Sequence, residues 1–295
     1  MKYGDRAVAA VRKIKLGPVT AEPAGELSTR MAILLWGLAT VGKTTFAATA
    51  PGHKLWLSFG DNEHVSIACR KDVIVAPLHG LSLDDLFKHA QSDDPFGLDK
   101  ALSENEDITT VVADSITALT FRALQKAVKD GVGGSRNFSP TMQQPGMSAY
   151  GGRNGIVLET VTGLLRVTAK HGVHLILTAH EADASTKKDD KGNDIIDYVT
   201  TMLGGQLVNN MTHRLSEIWY MSESSSGRML AVRPTRRRRP MKTRMFSGLD
   251  DPEFKLTYDA DKPDKGQMTI AKWYDQWVAS GYEKIGVPRA NGKAR

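Results

Sequence analysis

Residues 31–44 read MAILLWGLATVGKT, and this stretch constrains the fold more than any other part of the chain. Met31 to Trp36 are all apolar, and the run stops at Gly37. An apolar run without polar breaks suits a strand buried on both faces, as in a parallel sheet covered by helices. The next residues, Gly37, Leu38, Ala39, Thr40, Val41, Gly42, Lys43 and Thr44, match the pattern G-x-x-x-x-G-K-[ST] without exception. A helix is expected from Lys43 onward. Strand, glycine-rich turn and helix in this order let backbone N–H groups converge on one point, which is the requirement for cradling phosphate.

The alternation continues along the chain. Strands are expected over residues 54–59, 72–77, 108–113, 173–178 and 215–221, and helices over 83–91, 119–129 and 156–170. Strands alternating with helices favour a parallel sheet with helices on both faces and a ligand beyond the carboxyl ends of the strands. The acidic stretch that ends at Asp107 is expected to be solvated surface. Residues 131–155, rich in Gly, Ser, Asn and Pro, are expected as a long mobile loop, and residues 181–201 as a second polar loop. Ahead of the core, residues 5–14 could form a short helix with Val8, Val11 and Ile14 on one side, and residues 16–28 read as a linker. The expected organisation is an N-terminal arm, a candidate oligomerisation segment, over 1–29, an ATPase core over 30–248 and a C-terminal extension over 249–295. In that extension Trp273 and Trp277, at i,i+4 spacing, are expected to pack into the core.

The chain has 295 residues, of which 41% are hydrophobic, enough for one sizeable core. Its one cysteine, Cys69, excludes a disulfide within the chain and argues against a cysteine-based zinc site. The N-terminus carries positive charges but no apolar signal-like core, and no apolar run is long enough to span a bilayer. A soluble, cytoplasmic protein with no membrane partner is expected. The net charge of +6 is compatible with a polyanionic partner, but the placement of the charge matters more than its sum.

The phosphate-binding pattern points to ATP with Mg²⁺. Lys43 would reach the β- and γ-phosphates, the Thr44 hydroxyl would ligate Mg²⁺, and Thr45 belongs to the same binding segment. Asp114 ends an apolar strand, where it would hold the Mg²⁺ shell; Asp114 or Ser115 could instead cap the following helix. In Phe59-Gly60-Asp61-Asn62-Glu63-His64, Glu63 could orient and deprotonate the attacking water. Asp61 competes for that role, and an exposed charged turn is the plain alternative. His180 ends the run Leu175-Ile176-Leu177-Thr178-Ala179 and could report the γ-phosphate to the loop that follows, or simply be solvated. Between Arg228 and Arg244 there are eight Lys or Arg residues and no acid. A nucleic-acid backbone would neutralise such a run. A cation reaching a neighbouring subunit's ATP and a solvated surface are the alternatives.

These segments together resemble RecA-type recombinases. Glu63-His64 looks like the family's strand-two ending with its catalytic Glu. Val111 to Thr120 is close to its metal-binding strand, and Thr200-Thr201-Met202-Leu203-Gly204-Gly205 resembles the end of its second DNA-binding loop. The chain lacks the large C-terminal domain of the bacterial recombinase and has His180 where that family typically has Gln. Its compact core looks more like the phage-encoded RecA-like ATPases of the single-strand annealing group. The resemblance implies a RecA-like α/β fold with a mostly parallel central sheet flanked by helices. It also implies a homo-oligomer, ring or filament, that hydrolyses ATP at subunit interfaces in the host cytoplasm. Single-stranded DNA, and a single-strand-binding protein as a further partner, would follow. Residues 131–155 and 181–201 would face the DNA, with Arg153, Lys187 and Lys188 on phosphates and Phe138 and Tyr150 on bases. Lys242 and Arg244 would act in trans on a neighbour's ATP, and Arg236 to Arg239 would contact DNA or order the interface. A helicase or translocase motor, a nucleotide-dependent regulatory or assembly module and, more distantly, a nucleotide kinase are the rival readings.

Overall fold

The structure, a computed structural model, describes residues 14–21, 29–135, 138–189, 193–225, 227–235, 237–249, 251, 253–257, 268–282 and 285. Ahead of the core, β1 (Ile14–Leu16) and β2 (Val19–Ala21) pair antiparallel, within what the sequence presented as the arm and linker. The helix expected over residues 5–14 lies outside the described residues except at Ile14, which opens β1.

The core begins with β3 (Ala32–Gly37), α1 (Lys43–Ala47), β4 (His53–Ser58) and β5 (Val73–Pro77). It continues through α2 (Leu83–Ala90), α3 (Leu98–Glu104), β6 (Ile108–Asp114), α4 (Ile116–Lys129), α5 (Gly146–Lys170) and β7 (His174–His180). Then come β8 (Ser185–Lys188), β9 (Asp194–Tyr198), α6 (Gly205–Arg214), β10 (Glu217–Ser224), β11 (Gly227–Ala231), β12 (Glu253–Lys255) and α7 (Ile270–Ala279). The main sheet runs in the order β12-β11-β10-β3-β7-β6-β4-β5. From β10 to β5 neighbouring strands are parallel, whereas β11 and β12 are antiparallel additions. This is the expected α/β core, with a mostly parallel central sheet flanked by helices.

Alternation along the strands divides the core into two layers. Leu34, Trp36, Val111, Leu175 and Leu177 face Leu86 of α2, Leu119 of α4 and Val161 of α5. Ile33, Leu35, Val112, Ile176 and Trp219 face Phe46 of α1 and Trp273 and Trp277 of α7. Both tryptophans are buried, as their spacing predicts. The backbone of α7 is also tied to the turn just after α1, since the Ile270 and Ala271 N–H groups donate to Thr49 Oγ1 and Thr49 O, each at 3.0 Å. Strand β12 and α7 therefore complete the sheet and core from beyond residue 248. No helix among the described residues is long and apolar enough to cross a membrane.

Three segments differ from expectation. Within the acidic stretch before Asp107, α3 buries Leu98 and Leu102, so the stretch is not wholly solvated. The expected mobile loop over 131–155 is helical from Gly146 onward. Glycine inside a helix costs up to about 1 kcal/mol, but Ala149 packs with Leu124 and Ala127 of α4, and a Cβ on Gly152 would stand 3.4 Å from Val132. Close packing of α5 on α4 outweighs local propensity. The second polar loop contains the β8–β9 hairpin, held across the strands by Lys187–Asp197 at 2.7 Å and Lys188–Asp194 at 2.9 Å. Ile196 and Tyr198 share one face of β9 but stay exposed, so the hairpin lacks the buried alternation by which strands are read.

Candidate functional site

The turns after β3 and β4 and the ends of β6 and β7 meet at the carboxyl edge of the sheet, around a cavity of about 400 Å³. Thr40, Gly42, Lys43, Thr44 and Thr45 form one wall. Gly37 starts the turn because a Cβ there would stand 2.0 Å from the Met221 carbonyl of β10. Gly42 enters α1 with φ of 92°, a backbone conformation that favours glycine. Leu38 is exposed and Val41 buried beneath the loop, and neither is in the cavity lining. Nor are Gly37 and Ala39, although the Gly37 and Leu38 carbonyls accept from Lys43 Nζ at 3.0 and 2.6 Å. Burial pulls the Lys43 ammonium down to about 8, against the opposing pull of Asp114, Glu63 and Glu181.

Thr44 Oγ1 donates to Asp114 Oδ2 at 2.9 Å, joining the phosphate-binding loop to β6. The Thr178 hydroxyl of β7 donates to the other oxygen of Asp114. Burial, reinforced by Glu63, pushes Asp114 up to about 6, while Thr178, Thr44 and Lys43 hold it down. Asp114 and Thr44 offer adjacent oxygen donors, which suits a hard cation such as Mg²⁺. Among the described residues no group of three or more His, Cys, Asp or Glu could hold a metal alone.

Glu63 lines the cavity, and both its oxygens are held: Oε1 accepts from Ser115 Oγ at 2.8 Å and Oε2 from the Gly60 N–H at 3.1 Å. Asp61 is exposed and outside the cavity lining, near Arg122. His180 lines the cavity half-buried, and burial and then Lys43 lower its ring below the usual histidine range. Its backbone N–H donates to Thr117 Oγ1 at 2.8 Å. Ser115 also caps α4, accepting from the Ala118 N–H at 3.2 Å, so the capping alternative applies to Ser115 while Asp114 faces Thr44.

The residues of the basic run have different contacts. Lys242 Nζ donates to the carbonyls of Thr212 and Leu215 at 3.1 and 2.7 Å, at the carboxyl end of α6. Arg244 is exposed, and its N–H donates to the buried Glu217 at 2.9 Å. Neither lines the cavity. Arg238 pairs with Glu253 and lies 5.4 Å from the centre of the Tyr220 ring. Arg237 and Arg239 are exposed, and Arg236 lies outside the described residues. Of the residues expected at DNA, Phe138 and Tyr150 are partly exposed, with Arg153 stacked 5.0 Å from the centre of the Tyr150 ring. Lys187 and Lys188 are engaged by Asp197 and Asp194.

Sequence reasoning missed three residues. Thr178 lay inside a strand read as apolar. In sequence, Ser115 reads as a helix cap and as part of the resembling segment, not as a partner of Glu63. Arg228 was counted with the basic run, yet it lines the cavity. The signal available for Thr178 was one hydroxyl two positions before His180, on the same strand face.

A family model described as AAA domain matches residues 29–245. No curated protein matches the chain in sequence. Among the solved structures that match is a KaiC-like protein from the hyperthermophilic archaeon Pyrococcus horikoshii OT3, with 13% identity and a TM-score of 0.37. The match covers 72% of this chain and 83% of that one. With the family match spanning most of the core, the phosphate-binding loop and Asp114 included, the chain belongs to the AAA-domain family of P-loop ATPases.

Proposed function

We propose that the protein is a RecA-like recombination or annealing ATPase that hydrolyses ATP with Mg²⁺ while bound to single-stranded DNA, as a homo-oligomer. The observation that carries the DNA half is a backbone tie. The base of the β8–β9 segment is fastened to the end of β7, where the Met202 N–H donates to the His180 carbonyl at 2.8 Å and Glu181 bridges to Thr201. A residue lining the nucleotide cavity and the hairpin thus share one hinge. Met202 at that tie and Ile196 and Tyr198 beyond it are exposed, and the start of α5 presents Met147 and Tyr150. Exposed apolar and aromatic groups beside Arg153 suit unstacked bases and their phosphates.

In this reading Lys43 neutralises the β- and γ-phosphates, and Thr44 with Asp114 holds Mg²⁺, which when bound would offset charge on the phosphate oxygens. Glu63, fixed by Ser115 and Gly60, takes a proton from the attacking water. Arg244, exposed and braced through its backbone by Glu217, is the cation offered to a neighbouring subunit. Lys242, engaged at the end of α6, would support it.

The test is ATPase rate with and without single-stranded DNA, together with electron micrographs of the same samples. Stimulation by DNA and visible rings or filaments are expected. Arg244→Ala mixed with Glu63→Gln should regain activity that neither variant has alone, because each lacks a different half of a composite site. No DNA binding at low salt with ATP present would sink the DNA reading and favour a nucleotide-dependent regulatory module. Mixtures that co-assemble yet stay inactive would sink the assignment of Arg244.

A further inference from the structure

Arg228 opens the basic run in sequence, but no other described residue of that run lines the cavity. Strand β10 lies beside the phosphate-loop strand β3, with Met221 opposite Gly37. It continues to Ser224, and the chain returns as β11 with Arg228 opposite Glu223. Arg228 therefore stands just past the level at which β3 turns into the loop, and it lines the cavity with Lys43, Thr44 and Glu63. Its backbone is braced by the C-terminal segment, since the Leu256 N–H donates to the Arg228 carbonyl at 2.8 Å.

The direction of approach is informative. In the sheet order, β6 and β4, which lead to Asp114 and Glu63, lie on one side of β3, whereas β10 and β11 lie on the other. A triphosphate lying over the loop with its terminal phosphate toward Asp114 and Glu63 turns its α-phosphate toward the β10–β11 side. The charge balance points the same way. Lys43 faces two carboxylates in the lining, Asp114 and Glu63, and the other Lys or Arg in that lining is Arg228. A guanidinium keeps its charge at all working pH values, and its planar fork matches phosphate oxygens.

We propose that Arg228 is a nucleotide-binding residue of its own subunit, holding the α-phosphate of a bound nucleoside di- or triphosphate, and is functionally separate from the rest of the basic run. The proposal rests on the reading of the cavity as an ATP site. It differs from the trans role of Arg244 because it needs no neighbour.

The experiment measures binding of ADP and of a non-hydrolysable ATP analogue, each with Mg²⁺, to wild type, Arg228→Ala, Arg228→Gln and Arg228→Lys. Thermal melting without nucleotide identifies the variants that remain folded. Loss of a charged hydrogen bond predicts about 10- to 100-fold weaker binding in the folded Ala or Gln variant. The loss should be equal for the two nucleotides, because both carry the α-phosphate, and Lys should recover part of it. Unchanged affinity in a folded variant overturns the proposal. So does a loss confined to the ATP analogue, which would mark a γ-phosphate contact, or a loss confined to oligonucleotide binding, which would return Arg228 to the run. Wild-type protein that binds neither nucleotide overturns the reading of the cavity itself, and the wild-type arm makes the two failures distinguishable.

Discussion

The nucleotide cleft and the basic run are both dense in polar side chains, but the structure arranges them in opposite ways. In the cleft the groups converge. Thr44 and Thr178 donate to the two oxygens of Asp114, and Ser115 and the Gly60 N–H donate to the two oxygens of Glu63. In the run they diverge: Arg228 goes to the cavity, Arg233 to the Leu249 carbonyl, Arg238 to Glu253 and Lys242 to the end of α6. Arg237, Arg239 and Arg244 remain exposed. Charges adjacent in sequence leave an extended backbone on alternate sides, so a dense run is not by itself a patch. Convergence of polar groups from separate segments is the stronger sign of a site.

The largest test of that contrast is Glu63→Gln. An amide keeps the shape but cannot accept the proton of water, and removal of a general base costs about 10²- to 10⁴-fold in rate. Nucleotide affinity should survive, since Lys43, Thr44 and Asp114 are untouched. Asp61→Asn should leave turnover near wild type. Single-turnover rates of both variants decide the matter, and a fully active Glu63→Gln would mean that the held carboxylate has no chemical role.

Next in size is an effect beneath the cleft. His174, at the start of β7, is buried with Tyr274 against its ring, and its Nδ1 accepts the Met31 N–H at 3.1 Å. Burial, and then nearby Arg30, lower its pKa to about 4. Protonation would turn that acceptor into a second donor facing an N–H. Because the folded state resists the proton that the unfolded state accepts, stability is fully present above about pH 6.5 and is lost as pH falls toward 4. The loss from this residue approaches about 3 kcal/mol. Denaturant unfolding at several pH values should show this decline in wild type and a shallower one in His174→Gln. Parallel declines in the two proteins would remove His174 as the cause.

Thr178→Val should have a smaller effect, confined to the metal-dependent step. Asp114 would lose one of its two hydroxyl donors, and Mg²⁺-dependent nucleotide affinity should fall about tenfold. A Mg²⁺ titration of wild type and variant measures it. Equal midpoints would show that Thr44 alone orients the carboxylate.

What was legible in the sequence follows the same division. The strand–turn–helix at Gly37–Thr44, the apolar run ending at Asp114 and the carboxylate at Glu63 carry fixed spacings, because backbone geometry imposes them. The helical start of α5 was hidden because Gly146, Gly151, Gly152 and Gly155 mask a segment whose stability comes from packing on α4. The β8–β9 hairpin was hidden because ion pairs, not a buried face, hold it. The partners of Asp114 and the destination of Arg228 depend on strand order, which no local pattern encodes.

The smallest expected effect separates exposed cations from engaged ones. Binding of a single-stranded polyanion releases counterions, and log K against log salt has a slope of about −0.7 for each phosphate neutralised. Arg237→Ala with Arg239→Ala removes two exposed charges, so the slope should flatten by up to about 1.4. Lys242→Met should leave the slope nearly unchanged, because that ammonium already serves the carbonyls at the end of α6. Its cost should appear instead as a stability loss of about 0.3–1 kcal/mol, the usual size of a cation at a helix carboxyl end. Lys187→Met with Lys188→Met should fall between the two, since each lysine is shared with an aspartate across the hairpin. Oligonucleotide binding from low to moderate salt, with melting curves of the same proteins, ranks the three. If Lys242→Met flattened the slope as much as the arginine pair, the run would act as one electrostatic surface, and the contrast between convergent and divergent polar groups would not hold for it.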